Sequence, residues 1–239
     1  MAEFVTLKRQ PLLSTRVTEE MLEAIVSGRF KPGDRLPSER EMGDEFGVSR
    51  SVIREAVRSL HAKGVVDVSP GRGARISEVS SSRVTEALEL YLRGAQSQEI
   101  LLPEHIAEVR ETLETRLVEI ACERASDEDI KGIMRTHERL SRATDPETAA
   151  LHDAEFHRRL AVATHNALYL TLIESINATM RTIRVNSFKV EGRLATAIEE
   201  HDAVLKAVQA RHAVASRAAM TRHLLDSKLF YGINPEATS

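Results

Sequence analysis

The chain has 239 residues, with 33 Lys and Arg against 36 Asp and Glu, a formal net charge of −3, 42% hydrophobic residues and a single cysteine. At about 100–200 residues per domain this length accommodates one or two domains, and the apolar share suffices for a buried core, which excludes a globally disordered chain. Cys122 alone excludes an intramolecular disulfide and a multi-cysteine zinc site, no apolar run approaches ~18 residues, and the opening MAEFVTLKRQ lacks the apolar stretch of a secretory signal, so the expectation is a cytoplasmic protein with no membrane association. The slightly acidic total argues against indiscriminate coating of nucleic acid. Local balance differs: between Arg50 and Arg75, six basic residues face only Glu55 and Asp67, a net of +4.

In chain order, Val17, Met21, Leu22, Ile25 and Val26 recur at three- and four-residue steps, predicting an amphipathic helix from Ser14 that is ended by Gly28. KPGDRLP (31–37) reads as a turn. Ser38 stands three residues before Glu41, a capping-box spacing, so a short helix is expected over Glu39–Phe46, stopped by Gly47. Ser49 is then placed to cap a helix with Val52, Ile53, Ala56, Val57 and Leu60 on one side and Arg50, Arg54 and Arg58 on the other. This is the plan of a helix-turn-helix, whose second helix offers its first residues to the major groove. Val65–Val68 and Ala74–Ile76, joined by the Pro- and Gly-containing turn 69–73, predict a hairpin wing. Gly71 and Gly73 allow its tip to approach a duplex closely, and Arg72 can reach a phosphate or the minor groove.

The stretch GRFKPGDRLPSEREMGDEFGVSRSVIREAVRSLHAKGVVDVSPGRGARI (28–76) resembles the DNA-binding domain of the GntR family of bacterial transcriptional regulators, most specifically in its PGDRLPSER, GVSR and REA elements. The resemblance implies that Arg40, Arg50 and Arg54, with Ser49 and Ser51, contact bases and phosphates, that Gly71 lies against the minor groove, and that Arg35 helps position the backbone contact. For Arg40 and Arg54 the competing reading is pairing within the domain with Glu41, Glu45 or Glu55. One small module offers too little surface for tight operator binding, so a homodimer on two half-sites of double-stranded DNA is expected.

The serine-rich segment 77–82 marks the domain junction, giving a winged helix-turn-helix domain over 1–79, a linker and first helix over 80–102 that would carry any change between domains, and an all-α domain over 103–239. Helices are expected at 83–95, 103–125, 127–143, 146–164, 168–188, 192–211 and 213–230. Pro103, the Ser126/Asp129 capping box, Asp145-Pro146 and Asn166 punctuate them. The fold class is therefore mainly α, with a small β-hairpin wing and a C-terminal bundle of six or seven helices.

Nine histidines invite a metal hypothesis, and most lack a partner pattern. Asp153 and His157, four apart on one expected helix, project from the same face and could chelate one ion. His201 and His223 lie mid-helix beside apolar residues, and together with that pair they offer one carboxylate and three imidazoles to a bundle interior. Residues 108–225, through EVRETLETRLVEIACERA, DAEFHRRLAVATHNALY, EEHDAVLKAV and AAMTRHL, resemble the effector domain of the FadR subfamily of GntR regulators. That resemblance implies that Asp153, His157, His201 and His223 ligate a divalent metal ion; the donor set suits zinc first, and also nickel, manganese or iron.

The same resemblance places Arg110 where a family arginine pairs with an effector carboxylate, with an i,i+4 pair to Glu114 as the alternative. Asn166 and Asn177 could add hydrogen bonds near the cavity, Asn166 equally serving as a helix cap. The function expected is a DNA-binding regulator, a repressor released from its operator by a small carboxylate effector such as a sugar acid, hydroxy acid or dicarboxylate. Two alternatives stand beside it: the same regulator with a purely structural metal, and a metallohydrolase fused to a DNA-binding module. The last has no HExxH, nucleophile elbow or general base beside the metal to support it.

Overall fold

A computed structural model describes residues 12–69, 71, 73–78 and 81–230, and the chain divides into two units, Met1–Ser80 and Ser81–Ser239. In the first, α1 (Leu13–Val26), α2 (Glu39–Phe46) and α3 (Arg50–Ala62) precede a hairpin of β1 (Val66–Ser69) and β2 (Gly73–Ile76). The periodic residues do what their spacing requires. Val17 and Met21 of α1 meet Ile53, Ala56, Val57 and Leu60 of α3 in one apolar cluster that Leu36, Met42, Val66 and Ile76 complete.

Polar side chains set the helix ends. Ser38 Oγ accepts from the Glu41 amide (3.2 Å) while the Glu41 carboxylate accepts from the Ser38 amide (2.8 Å), satisfying two orphan donors of α2 reciprocally. Gly47 ends α2 in the left-handed region (φ +65°), which lets the chain reverse into α3 within three residues.

The segment expected as a plain turn does more than reverse the chain. Leu36 donates its amide to the Ala74 carbonyl, and the Ile76 amide donates to the Asp34 carbonyl, each at 2.8–2.9 Å, so residues 33–36 lie along the free edge of β2. Leu36 is thereby buried under the wing, and the Arg75 guanidinium donates to the Gly33 carbonyl at 2.7 Å.

In the second unit eight helices follow: α4 (Ser81–Ser97), α5 (Pro103–Arg124), α6 (Asp127–Ser141), α7 (Pro146–Val162), α8 (Ala167–Thr179), α9 (Arg181–Phe188), α10 (Arg193–Gln209) and α11 (Ala213–Lys228). Leu117, Val118 and Ala121 of α5, Phe156 and Leu160 of α7, Val204 and Val208 of α10, and Met220 of α11 form the main core. The expected caps are present: Ser126 on the Asp129 amide, Asp145 on the Thr148 amide and Asn166 on the Leu168 amide.

One expected helix, 168–188, is two, meeting at buried Met180. The cause is legible in α8, where the hydroxyls of Thr171, Ser175 and Thr179 each donate to the carbonyl four residues back, a pattern that bends helices. The new direction of α9 carries Arg184 toward α7.

Conformation-dependent glycines give a stability test. Gly47→Ala places a β-carbon on a left-handed residue and is expected to cost about 1–2 kcal/mol. Gly94→Ala, inside α4 with open space around its Cα, is expected to stabilise by about 0.5–1 kcal/mol. Urea unfolding midpoints read both, and shifts of the same sign would overturn the assignment.

Candidate metal centre and nucleic-acid interface

Ser49 caps α3, its Oγ within 2.8 Å of Ser51 Oγ, and Arg50, Ser51, Arg54 and Arg58 are exposed along the side of α3 opposite its apolar residues. Arg54 donates from Nε and Nη2 to the two Glu39 carboxylate oxygens (3.0 and 2.7 Å), a bidentate pair that ties α3 to α2 and lowers the Glu39 pKa. Glu39 was not among the partners anticipated from sequence, because it lies 15 residues away on another helix. Arg40 makes a 3.6 Å exposed pair with Asp44, an interaction worth little in water. Arg50 is hydrogen-bonded to no described residue, so its five donors remain available to a duplex.

In the wing, Gly71 and Gly73 both have left-handed φ, +73° and +76°. A β-carbon on Gly73 would lie 3.4 Å from the Arg35 guanidinium, which places Arg35 against the wing stem. Arg72, expected to reach the minor groove, lies outside the described residues.

In the helical unit Asp153 and His157 on α7, His201 on α10 and His223 on α11 converge, with donor atoms all within 4.8 Å of one another. The Nε2 atoms of His201 and His223 are 3.3 Å apart, those of His223 and His157 are also 3.3 Å apart, and Asp153 Oδ1 is 3.3 Å from His201 Nε2. Four ligands bound tetrahedrally at ~2.0–2.1 Å from one ion would lie about 3.3–3.4 Å apart, so the cluster has the spacing of a coordination sphere. None of the four is more than 4% exposed, which leaves water no role in separating them. Burial, then the neighbouring imidazoles, pushes the pKa values of His201 and His223 well below the ordinary histidine value, so both are neutral ligands rather than imidazolium cations.

Around these four lies a ring of residues of which sequence reasoning singled out Arg110 and Asn177, as effector contacts, but not Arg184, Glu114, Glu200 or Arg193 as site residues. Burial opposes ionisation of Asp153, but Arg184 and the three imidazoles prevail and hold its carboxyl well below the usual range. Arg184 in turn donates from Nη2 to Asn177 Oδ1 (2.9 Å), and Asn177 donates to the Ala154 carbonyl (3.0 Å). Glu114 is also held ionised against burial, by Arg110 and His157. Arg110 is 3% exposed and donates from Nε to Glu114 Oε1 at 2.7 Å, the i,i+4 alternative; Glu114 Oε2 faces His157 Nδ1. Glu200 lies likewise between Arg193 and His223 Nδ1, but both contacts go to Oε2, Oε1 is buried without a hydrogen bond to any described residue, and burial pushes the Glu200 carboxyl above its usual pKa. The Arg193/Glu200 spacing of two turns on one helix was the only signal available in the sequence. Asn166 is not brought to this cluster. It caps α8 and is exposed, because its side-chain oxygen accepts from the Leu168 amide at the start of the helix.

A winged helix-turn-helix unit and a helical unit with a buried Asp/His cluster that could hold a metal ion define a two-part transcriptional regulator. Comparison with known proteins supplies the family. Residues 13–76 match the family described as "Bacterial regulatory proteins, gntR family", and residues 105–226 match the FCD domain. The HTH-type transcriptional regulator LutR of Bacillus subtilis (strain 168) is 30% identical over 208 residues, covering 84% of this chain and 92% of that protein. The HTH-type transcriptional repressor NanR of Klebsiella aerogenes is 29% identical over 229 residues, covering 92% and 86%. The solved Streptococcus agalactiae GntR structure superposes with a TM-score of 0.61 at 26% identity, covering 90% of this chain and 99% of that one. The chain belongs to the GntR family of bacterial regulatory proteins and carries an FCD domain; its relatives are transcriptional regulators, not enzymes. Among the described residues no helix is long and apolar enough to cross a membrane.

The geometry makes metal content measurable. The purified chain is expected to hold one divalent ion per subunit by elemental analysis and His201→Ala to hold none. Chelation is expected to lower the melting temperature, since an ion at 100 times its Kd stabilises the folded state by about 2.7 kcal/mol. Equal metal content in wild type and variant would remove the cluster as the site.

Proposed function

We propose that the chain is a repressor of the FadR type that binds operator DNA as a homodimer and is released when a small organic acid occupies the helical unit beside a divalent ion held by Asp153, His157, His201 and His223. The observation that carries this reading is the buried set of three imidazole nitrogens and a carboxylate, at coordination spacing, within an FCD domain. Zinc suits that donor set best, since neutral imidazoles and one carboxylate are its ordinary ligands. An ion there would supply a Lewis acid; the residues of this chain bind and orient.

A groove of about 450 Å³, lined by Arg181, Arg184 and Asn177 with Glu147 opposing them in charge, supports entry of an anion beside Arg184, the partner of Asp153. Arg110 meets an effector carboxylate by sharing a guanidinium already engaged by Glu114. Sugar acids, hydroxy acids and dicarboxylates fit a metal with an arginine nearby. The relatives, NanR, a transcriptional repressor, and an Uxu operon regulator of Haemophilus influenzae, support repression of an operon.

On the DNA side, Ser49, Arg50 and Ser51 at the start of α3 carry recognition, with Arg54, Arg40, Arg35 and the wing residues Gly71 and Arg72 contacting the backbone or minor groove. Dimeric binding to half-sites about one helical turn apart adds the contacts that one module lacks. Complete burial of the four ligands also favours a structural ion as the second reading. The two separate on effector binding, which survives chelation only if the ion is structural.

Arg50→Ala is expected to weaken operator binding by about 1–3 kcal/mol and to relax base preference in a mobility-shift assay. Unchanged affinity and discrimination would remove Arg50 from the interface. Titrating sugar acids, hydroxy acids and dicarboxylates into the protein–operator complex is expected to find one that weakens binding roughly 5–150-fold. Indifference to all three classes would overturn the effector reading.

A further inference from the structure

The three histidines of the cluster are not held alike. His157 Nδ1 faces Glu114, whose other oxygen accepts from Arg110 Nε at 2.7 Å. His223 Nδ1 lies 2.8 Å from Glu200 Oε2, and Arg193 Nη1 donates to that same oxygen at 3.1 Å. Arg193 is itself fixed, by donation to Ser227 Oγ (2.9 Å) and by stacking of its guanidinium 5.2 Å from the Phe230 ring centre. His201 has no such partner. Its Nδ1 is buried without a hydrogen bond to any described residue, and its ring is instead stacked face to face on Phe156, 4.1 Å between centres and 6° from parallel.

A neutral imidazole has one N–H and one lone pair. Where a carboxylate takes the Nδ1 proton, Nε2 is left as a bare acceptor. Held that way, the rings of His157 and His223 turn their Nε2 atoms toward each other, 3.3 Å apart. His201 is free to do the opposite. With its proton on Nε2 it would donate to Asp153 Oδ1 at 3.3 Å or toward His223 Nε2 at 3.3 Å, and Nδ1, hydrogen-bonded to no described residue, would need no acceptor.

We propose that Glu114 and Glu200, each held by its arginine, are positioning residues that lock His157 and His223 as Nδ1–H tautomers with their metal-binding lone pairs turned inward. His201 is the switchable ligand, protonated on Nε2 in the metal-free protein and positioned by Phe156 rather than by a hydrogen bond. This rests on the metal reading above for its purpose but not for its test. An ion bound at Nε2 would require the His201 proton on Nδ1 instead, with no net change of charge on the ring. The two clamped histidines undergo no such change.

The test begins with the metal-free full chain, labelled with ¹⁵N-histidine, the three rings assigned by single His→Gln variants. Long-range proton–nitrogen spectra are expected to show Nδ1–H for His157 and His223 and Nε2–H for His201. An Nε2–H tautomer at His157 or His223 overturns the clamps, and Nδ1–H at His201 overturns the switch. Titration of Zn²⁺ or Co²⁺ into folded Glu114→Gln and Glu200→Gln variants is expected to give 10–100-fold weaker binding than wild type. A purely structural role would lower the melting temperature of the metal-free protein and leave the metal Kd within twofold, which also overturns the proposal. If either variant fails to fold, the wild-type tautomers decide. A wild type that takes up no ion removes the proposed function, while the tautomer pattern still decides the positioning.

Discussion

Four groups that water would solvate well, a carboxylate and three imidazoles, are packed inside the helical unit, and the surrounding structure is arranged to make that tolerable. Removing an ionised carboxylate from water costs several kcal/mol even after relaxation, so Asp153 stays charged only because Arg184 and the imidazoles surround it. The same demand propagates outward. Arg184 needs Asn177, His157 needs Glu114, Glu114 needs Arg110, and His223 needs Glu200 and Arg193. Apolar side chains of similar volume would pack these positions with less electrostatic cost, and buried ion pairs are weak contributors to stability. Their concentration around four ligand atoms therefore speaks for binding rather than for folding.

The first unit uses charge in the contrary way. It buries no charged side chain among its described residues, and the arginines of α3 are carried on the outside of that helix, where water solvates them until a phosphate or base replaces it. Arg54 is the exception, since its bidentate pair with Glu39 fixes the angle at which α3 meets α2. That pair is exposed and contributes little to stability, but it withholds one cation from non-specific attraction to DNA and leaves Arg50 as the unengaged donor at the start of the recognition helix. The modest local charge of this unit and the acidic excess of the rest are consistent with recognition by a few placed arginines, not by bulk attraction.

Much of the architecture was legible in the sequence because it rests on local signals. Ser38 with Glu41, Ser126 with Asp129, and Asp145 before Pro146 mark helix starts through bonds that span three residues, and each is present. The Asp153/His157 pair was legible for the same reason: a spacing of four places two side chains on one face. The break at Met180 was not, because three hydroxyls bonding back along α8 compete with an otherwise continuous apolar period. Nor was the pairing of residues 33–36 with β2, where turn residues read as a turn although Leu36 needed the wing as cover.

By itself, then, the sequence determined the helix inventory, the winged helix-turn-helix, and the four residues with metal-ligand chemistry, since capping, periodicity and side-chain type act over a turn or two of chain. Only the tertiary structure decided that Arg110 is clamped to a Glu114 that also faces His157, that Asn177 holds Arg184 against Asp153, that Asn166 stays at a helix end, and that of the three clustered histidines His201 has no hydrogen bond at Nδ1 to any described residue. Those outcomes depend on how α5, α7, α9, α10 and α11 are brought together. A hydrogen bond between residues 23 or 43 positions apart leaves no spacing to read, because its geometry is set by packing and not by the chain between them.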